Sequence, residues 1–477
     1  MTKSRFAILL SVLILTLSIT PASADKCASP AKYAELTILH TNDLHGHLFP
    51  FATRALGTLE SDVGGAARRA TLIRRIRSEA KHPVLLMDAG DVFTRGPIAD
   101  MEGKPDFDVM NAVAYDVMTL GNNEFKGAGG ERGAKVLFER IKQARFPVLC
   151  ANVFDKATNK PIACPYIVLD EAGVRVGVFG LTAPRVASYE QSRNFIVKDP
   201  IEVAKEILPE LREKCDFVVA LTHVGYALDL ELAQCVPGID VIIGGDSHTW
   251  LSQPTLVKSA SPASDSWWIG GTLVCQDGEW GKCLGRLDLR LRRSGDSYEV
   301  TSYKGELIGV DSKTSPAADV ESIIARYCKP LEVVVGELAK PVPPAEAASW
   351  VAEAMREATG AQVGAQPIAS VEDGLCAGKI TLLDIRRMFP WPNSAVCLTV
   401  SGKQLAEYVA GADSALAGAQ TRDGQLYVGA ERVVDDESYT LAVEDGYYYA
   451  ALPFVKSAPR VVTDRSIQQI LADRIRR

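Results

Sequence analysis

The feature that most constrains this chain is a rhythm starting at residue 35, where short Val/Ile/Leu-rich runs alternate with amphipathic stretches. ELTILH, VLLMD, DVMTL, PVLCA, RVGVFGL, FVVALT and, from Ile239, IDVIIGG have the length and composition of buried strands. AARRATLIRRIRSEA (66–80) and DPIEVAKEILPELREK (199–214) have helical spacing, the second with Asp199 as N-cap and Pro200 in its first turn. Such alternation predicts an α/β domain with largely buried strands.

At Leu287 the pattern becomes LDLRLRRSGDSYEVTSYKGELIGV, an alternating run broken at SGDS, which predicts a hairpin closing the first domain. ESIIARYCKPLE (321–332) then reads as a connecting helix before a second unit of about 140 residues, a usual domain size. The expected organisation is a signal peptide over 1–24, a first domain over 33–312, a linker helix within 313–333 and a smaller α/β domain over 334–465.

The first 24 residues set Lys3 and Arg5 before an apolar run from Phe6 to about Leu17 and end in Ala22-Ser23-Ala24, the plan of a secretory signal cleaved after Ala24. The run is shorter than the roughly 20 residues a membrane span needs. The expected location is therefore periplasmic or secreted, with no stable membrane insertion after cleavage. Loss of Lys3 and Arg5 takes the net charge from -7 to -9. An acidic chain without a basic tract argues against a nucleic-acid polymer as partner. Ten cysteines include no C-x-x-C pair, which argues against a zinc ribbon. In an exported chain some are expected to pair, with Cys275 and Cys283 the first choice and buried thiols the alternative.

Polar residues collect just beyond the apolar runs. Asp43 and His45 follow ELTILH, Asp91 follows VLLMDAG, Asn122 follows DVMTLG, His223 ends FVVALTH, and Asp246 and His248 follow VIIGG. In an open α/β sheet the carboxyl ends of strands are where loops converge on a binding site. Carboxylate, imidazole and amide oxygen together suit divalent Zn, Mn or Fe. Asp91 is the natural bridging carboxylate for a two-metal centre, whose ions about 3.5 to 4 Å apart polarise a phosphoryl oxygen and generate a hydroxide nucleophile. Any one of these residues alone reads more simply as a turn, cap or structural side chain.

ILHTNDLHGH, MDAGDVF, TLGNNEF, CANVF, LTHVG and IIGGDSHT occur in the order found in the calcineurin-like metallophosphatase superfamily, and HTNDLHGH resembles the 5'-nucleotidase family in particular. WVAEAMREATGA, GKITLLDIRRMFPWPNS and LTVSGKQL are similar to that family's C-terminal domain. The resemblance implies an N-terminal β-sandwich flanked by helices with a smaller C-terminal α/β substrate domain. It also implies two divalent ions, one on Asp43, His45, Asp91 and His248 and another on Asp91, Asn122, His223 and Asp246, acting on a small phosphate ester such as a nucleotide.

Departures stand beside the resemblance. Asp246 replaces a histidine, and Asn123 and Lys126 replace the His and Asp of the usual G-N-H-E-F-D dyad. Asparagine can donate a hydrogen bond but cannot transfer a proton near neutrality. Lys126 would either stabilise charge or lie in solvent. In the second domain IASVEDGLCAGKIT lacks the family's phosphate-gripping arginine, leaving Arg386 or Arg387 as substitutes. Trp391, with Tyr447 or Tyr448, would provide the aromatic clamp, the tyrosines alternatively forming an ordinary strand. Three functions remain open: an exported metal-dependent phosphoesterase, a catalytically weakened ligand-binding homologue, and a hydrolase of another ester, such as a thiosulfohydrolase-like enzyme.

Overall fold

The computed structural model describes residues 32–477, except 56–57, 94, 127–131, 259–269, 412, 447–453 and 455–456. The expected signal peptide over 1–24, Tyr447 and Tyr448 lie outside the described residues.

Two six-stranded sheets face each other in the N-terminal part. The first centres on Tyr33–Thr41, which pairs in parallel with Val84–Asp88, and continues through Val117–Thr119 and Val148–Leu149. The second centres on Phe217–His223, flanked in parallel by Val174–Thr182 and Val241–Ile243. Each of the seven expected strands is present, several trimmed at their ends.

Period-two alternation explains the layering. Phe217, Val219 and Leu221 point into the core between the sheets, where they meet Leu36, Ile38, Leu85 and Met87 of the opposite sheet. Val218 and Ala220 point outward beneath the helix Pro200–Arg212 with its Ile201, Ala204 and Leu208. Leu39 and Leu86 on the other outer face meet Ile73 and Ile76 of Ala66–Glu79. Strands buried on both faces carry continuous apolar runs for this reason. Asp199 caps its helix as expected, accepting from the backbone N–H of Ile201 and Glu202 at 2.9 and 3.0 Å.

The hairpin Cys283–Ser294 with Ser297–Gly309 turns at the anticipated place and adds two antiparallel strands to the first sheet. The expected Cys275–Cys283 disulfide is not formed, and both are free thiols. Cys275 ends a strand of the second sheet whereas Cys283 opens a strand of the first, so closeness in sequence does not bring the sulfurs together.

Ala318–Cys328 leads into the C-terminal part. There a five-stranded sheet carries Pro344–Thr359, Leu382–Met388 and Ile467–Arg476 against one core and Gly402–Gly411 against another. The two parts meet at a buried pair, His47 Nε2 with Glu372 Oε2 at 3.1 Å, and where the N–H of Ala52 donates to the carbonyl of Glu372 at 2.6 Å. Among the described residues no helix is long and apolar enough to cross a membrane.

Candidate metal centre and cleft

The loops after the first two parallel strands are zipped together by backbone bonds from Asp43 N–H to Gly90 O, His45 N–H to Asp91 O and Gly46 N–H to Val92 O. Gly90 makes the approach possible: its φ is 90°, and a Cβ there would lie 2.4 Å from the Gly121 nitrogen. Asp43, His45, Asp91, Asp246 and His248 all have positive φ, between 48° and 80°. Each such residue costs on the order of 1 to 3 kcal/mol, and strain of this kind persists where surrounding bonds over-determine it. Five of the seven expected ligands therefore project from turns rather than continuing their strands.

Their side chains converge. His248 Nε2 lies 3.2 Å from Asp43 Oδ1 and 3.3 Å from His45 Nε2. His223 Nε2 lies 3.3 Å from Asp91 Oδ2, 3.5 Å from Asp246 Oδ1 and 3.8 Å from Asp43 Oδ1. Two candidate ligand triads result, Asp43 with His45 and His248, and Asp43 with Asp91 and His223, sharing Asp43 as two faces of one cluster. The buried Asp43 Oδ1 and His223 Nε2 have no hydrogen-bond partner. Orphaned atoms of this kind, spaced near the roughly 3.3 Å expected between ligands of a four-coordinate ion, fit a divalent metal.

Outer contacts fix these side chains. Asp43 Oδ2 accepts from Asn42 Nδ2 and from the Asp246 N–H, each at 2.8 Å, which leaves Oδ1 for the cluster. His223 Nδ1 donates to Ala89 O at 2.6 Å, and His248 Nδ1 meets Glu279 Oε2 at 2.6 Å, so both Nε2 atoms face inward. Burial pulls the His248 imidazole down, but the neighbouring carboxylates of Asp43 and Glu279 outweigh it and hold the group up at about 9. His45 is driven well below its ordinary value, first by burial, while His223 is raised well above its own because Asp91, Asp43 and Asp246 together overcome burial.

Asn122 and Asp246 are engaged differently. The Arg185 guanidinium forks onto the Asp246 carboxylate, with Nη1 donating to Oδ2 at 2.5 Å and Nη2 to Oδ1, and Nη2 also donates to Asn122 Oδ1. Two of the four donors expected to hold a second ion are thereby committed to a cation of the chain itself, and the residues present do not fit that ion.

Asn123 is buried and donates twice to Asp91, from its N–H to Oδ1 at 2.7 Å and from Nδ2 to Oδ2 at 2.5 Å. It orients the carboxylate. Lys126 is exposed and stacks over the Tyr189 ring at 4.9 Å. Glu124 accepts from the backbone N–H of Asp91, Val92 and Gly121.

Phe93, Arg95, Asp100, Arg386, Trp391 and Gln468 line a cleft of about 400 Å³ between the two parts, and none of the seven expected ligands lines it. Arg95 stacks over Trp391 at 5.7 Å, and Trp391 Nε1 donates to Ser370 O. Arg386 reaches across to Asp100 at 3.0 Å, whereas Arg387 pairs with Asp373 at 3.0 Å. The structure thus brings Trp391 and Arg386 to the cleft.

Sequence reasoning missed Arg185, Glu279, Glu124 and Arg95. Arg185 comes three residues after Val174–Thr182, at a strand end like the expected ligands. The strand-end rule would have found it had cations been sought as well as ligands.

Residues 36–250 match the family model described as calcineurin-like phosphoesterase, and residues 337–423 the one described as 5'-nucleotidase, C-terminal domain. The chain is 30% identical over 428 residues to the trifunctional nucleotide phosphoesterase protein YfkN of Bacillus subtilis, covering 78% of this chain and 27% of that much longer protein. It is 28% identical over 458 residues to the 5'-nucleotidase of Vibrio cholerae, covering 83% of this chain and 80% of the relative. The crystal structure of a 5'-nucleotidase precursor from Thermus thermophilus superposes with a TM-score of 0.66 at 28% identity, covering 92% of this chain and 96% of the other. An α/β sandwich with carboxylates and imidazoles at its strand ends is the scaffold of a phosphoric ester hydrolase. More narrowly, the chain carries a calcineurin-like phosphoesterase region followed by a 5'-nucleotidase C-terminal region, and it is similar to the two-domain 5'-nucleotidases.

Proposed function

We propose that the chain is an exported, divalent-metal-dependent phosphoesterase acting on nucleotides or chemically related small phosphate esters. One observation carries this reading: buried Asp43 Oδ1 and His223 Nε2, both without hydrogen-bond partners, lie 3.8 Å apart, and His248 Nε2, itself 3.3 Å from His45 Nε2, lies 3.2 Å from the same Asp43 oxygen. The nucleotide class is supported by the two relatives' names and by an aromatic-lined cleft between the two parts of the chain. The domains read from the sequence, 33–312 and 334–465, supply the cluster and one wall of the cleft respectively.

Asp43, His45, Asp91, His223 and His248 would hold the ion, with Asp91 oriented by Asn123. A divalent ion bound there supplies Lewis acidity toward a phosphoryl oxygen. Trp391 offers a stacking face for a base, and Arg95 brings positive charge to the cleft, where Arg386 is paired with Asp100. Asn123 cannot pass a proton to the leaving group near neutral pH, and general-acid assistance is typically worth on the order of 10² to 10⁴ in rate. Turnover is therefore slow on poor leaving groups.

The test uses mature protein, residues 25–477, supplied separately with Mn, Zn, Mg or Fe(II) and assayed on p-nitrophenyl phosphate, bis-p-nitrophenyl phosphate and AMP. Hydrolysis that requires metal and disappears in Asp91→Ala supports the reading. Bound metal without turnover on any of the three esters would replace it with a binding role.

A further inference from the structure

Arg185 is held where a ligand would be, and from three sides. The short helix Pro184–Ser188 carries it past the end of Val174–Thr182, Nε donates to the Tyr189 hydroxyl at 3.3 Å, and the two terminal nitrogens grip Asp246 and Asn122. With His223 Nε2 only 3.5 Å from Asp246 Oδ1, the guanidinium adjoins the same cluster that includes Asp91. A planar fork on a carboxylate is the geometry guanidinium makes best. An imidazole at position 246 could not be gripped in this way, so the aspartate and the arginine make sense as a pair.

We propose that the Arg185 guanidinium takes the part of a second divalent ion, so that this chain binds one ion, on Asp43, His45, Asp91, His223 and His248. The proposal rests on the metal-dependent reading above. It follows from two physical facts. Asn122 Oδ1 and both oxygens of Asp246 already accept charge-assisted bonds, and a permanent positive charge beside the position repels a second cation. Unlike an ion, a guanidinium cannot be lost to a chelator, and it presents fixed donors to the charge that develops on a transferring phosphoryl group. Arg185 would thus stabilise charge without activating water.

Metal counting tests this without reference to activity. The full exported chain is stripped with chelator, reloaded with Mn or with Zn alone, desalted, and its bound metal determined by elemental mass spectrometry. One ion per chain is expected, falling to none in Asp43→Ala and staying at one in Asp246→Ala. Arg185→Met, which frees Asn122 and Asp246, is expected to take up two. Two ions in the unaltered chain, or loss of the ion in Asp246→Ala, would overturn the proposal while leaving the phosphoesterase reading intact. No ion in the unaltered chain would overturn both. A count that stays at one in folded Arg185→Met, folding being checked by circular dichroism, overturns the claim that the guanidinium excludes the second ion. The unaltered and Asp246→Ala counts decide the matter even if that variant does not fold.

Discussion

Glu279 Oε2 lies 2.6 Å from His248 Nδ1, and the ring's other nitrogen points at Asp43 Oδ1, 3.2 Å away. A carboxylate behind a ligating imidazole fixes its tautomer and orientation and raises its basicity, and losing such a partner typically costs 10- to 100-fold in metal affinity. Glu279→Gln is expected to weaken divalent-ion binding by about that factor while the chain stays folded. Competition against a fluorescent chelator measures it, and an unchanged affinity would show that His248 does not ligate.

Glu124 sits fully buried beneath the Asp91 turn and accepts three backbone N–H groups, from Asp91, Val92 and Gly121, at 2.7 to 2.9 Å. Burial, with the neighbouring Asp91, nevertheless holds its carboxyl up at about 8. Glu124→Gln turns an amide donor toward at least one of those N–H groups. Stability should fall by about 1 to 3 kcal/mol, the cost of an unsatisfied buried polar group. The midpoint of urea unfolding checks this, with a matching midpoint counting against the three-acceptor role.

Asp106 is buried, and burial raises its carboxyl from 3.8 to about 7. The folded chain keeps this proton at pH values where the unfolded chain has released it. Its contribution to stability is therefore fully present below about 3.8 and is lost as pH rises through about 7. Asp106→Asn removes the titration. Measured relative to the unaltered chain, the variant should gain stability between pH 4 and pH 7, by at most a few kcal/mol given about 1.4 kcal/mol per pKa unit. Chemical denaturation at both pH values reads the difference, and equal differences at the two would refute the assignment.

Trp391 lies in the cleft with one face against Arg95. If that wall holds a base, Trp391→Ala should raise KM for AMP by about 5- to 150-fold, corresponding to about 1 to 3 kcal/mol per stack. KM for p-nitrophenyl phosphate should move much less. Equal changes on both substrates would mean that the ring supports the fold through its bond to Ser370 rather than the substrate.

The sequence alone settled what depends on near neighbours along the chain. Buried strands announce themselves by composition, Asp199 by its place before a helix, and the hairpin by its turn at 294–297. The strand-end candidates were legible for the same reason, because each ends or follows its own strand by a few residues. Tertiary structure alone decided which of them meet, and what meets them. Arg185 and Asp246 are 61 residues apart, His248 and Glu279 come together across two loops, and Arg95 reaches Trp391 between the two parts of the chain. It also separated Cys275 from Cys283, by assigning strands eight residues apart to opposite sheets. Local propensity acts over a few residues, whereas charge pairing and burial act through space. The candidate residues could therefore be read from sequence, while the cation that engages two of them emerged only once the sheets were stacked.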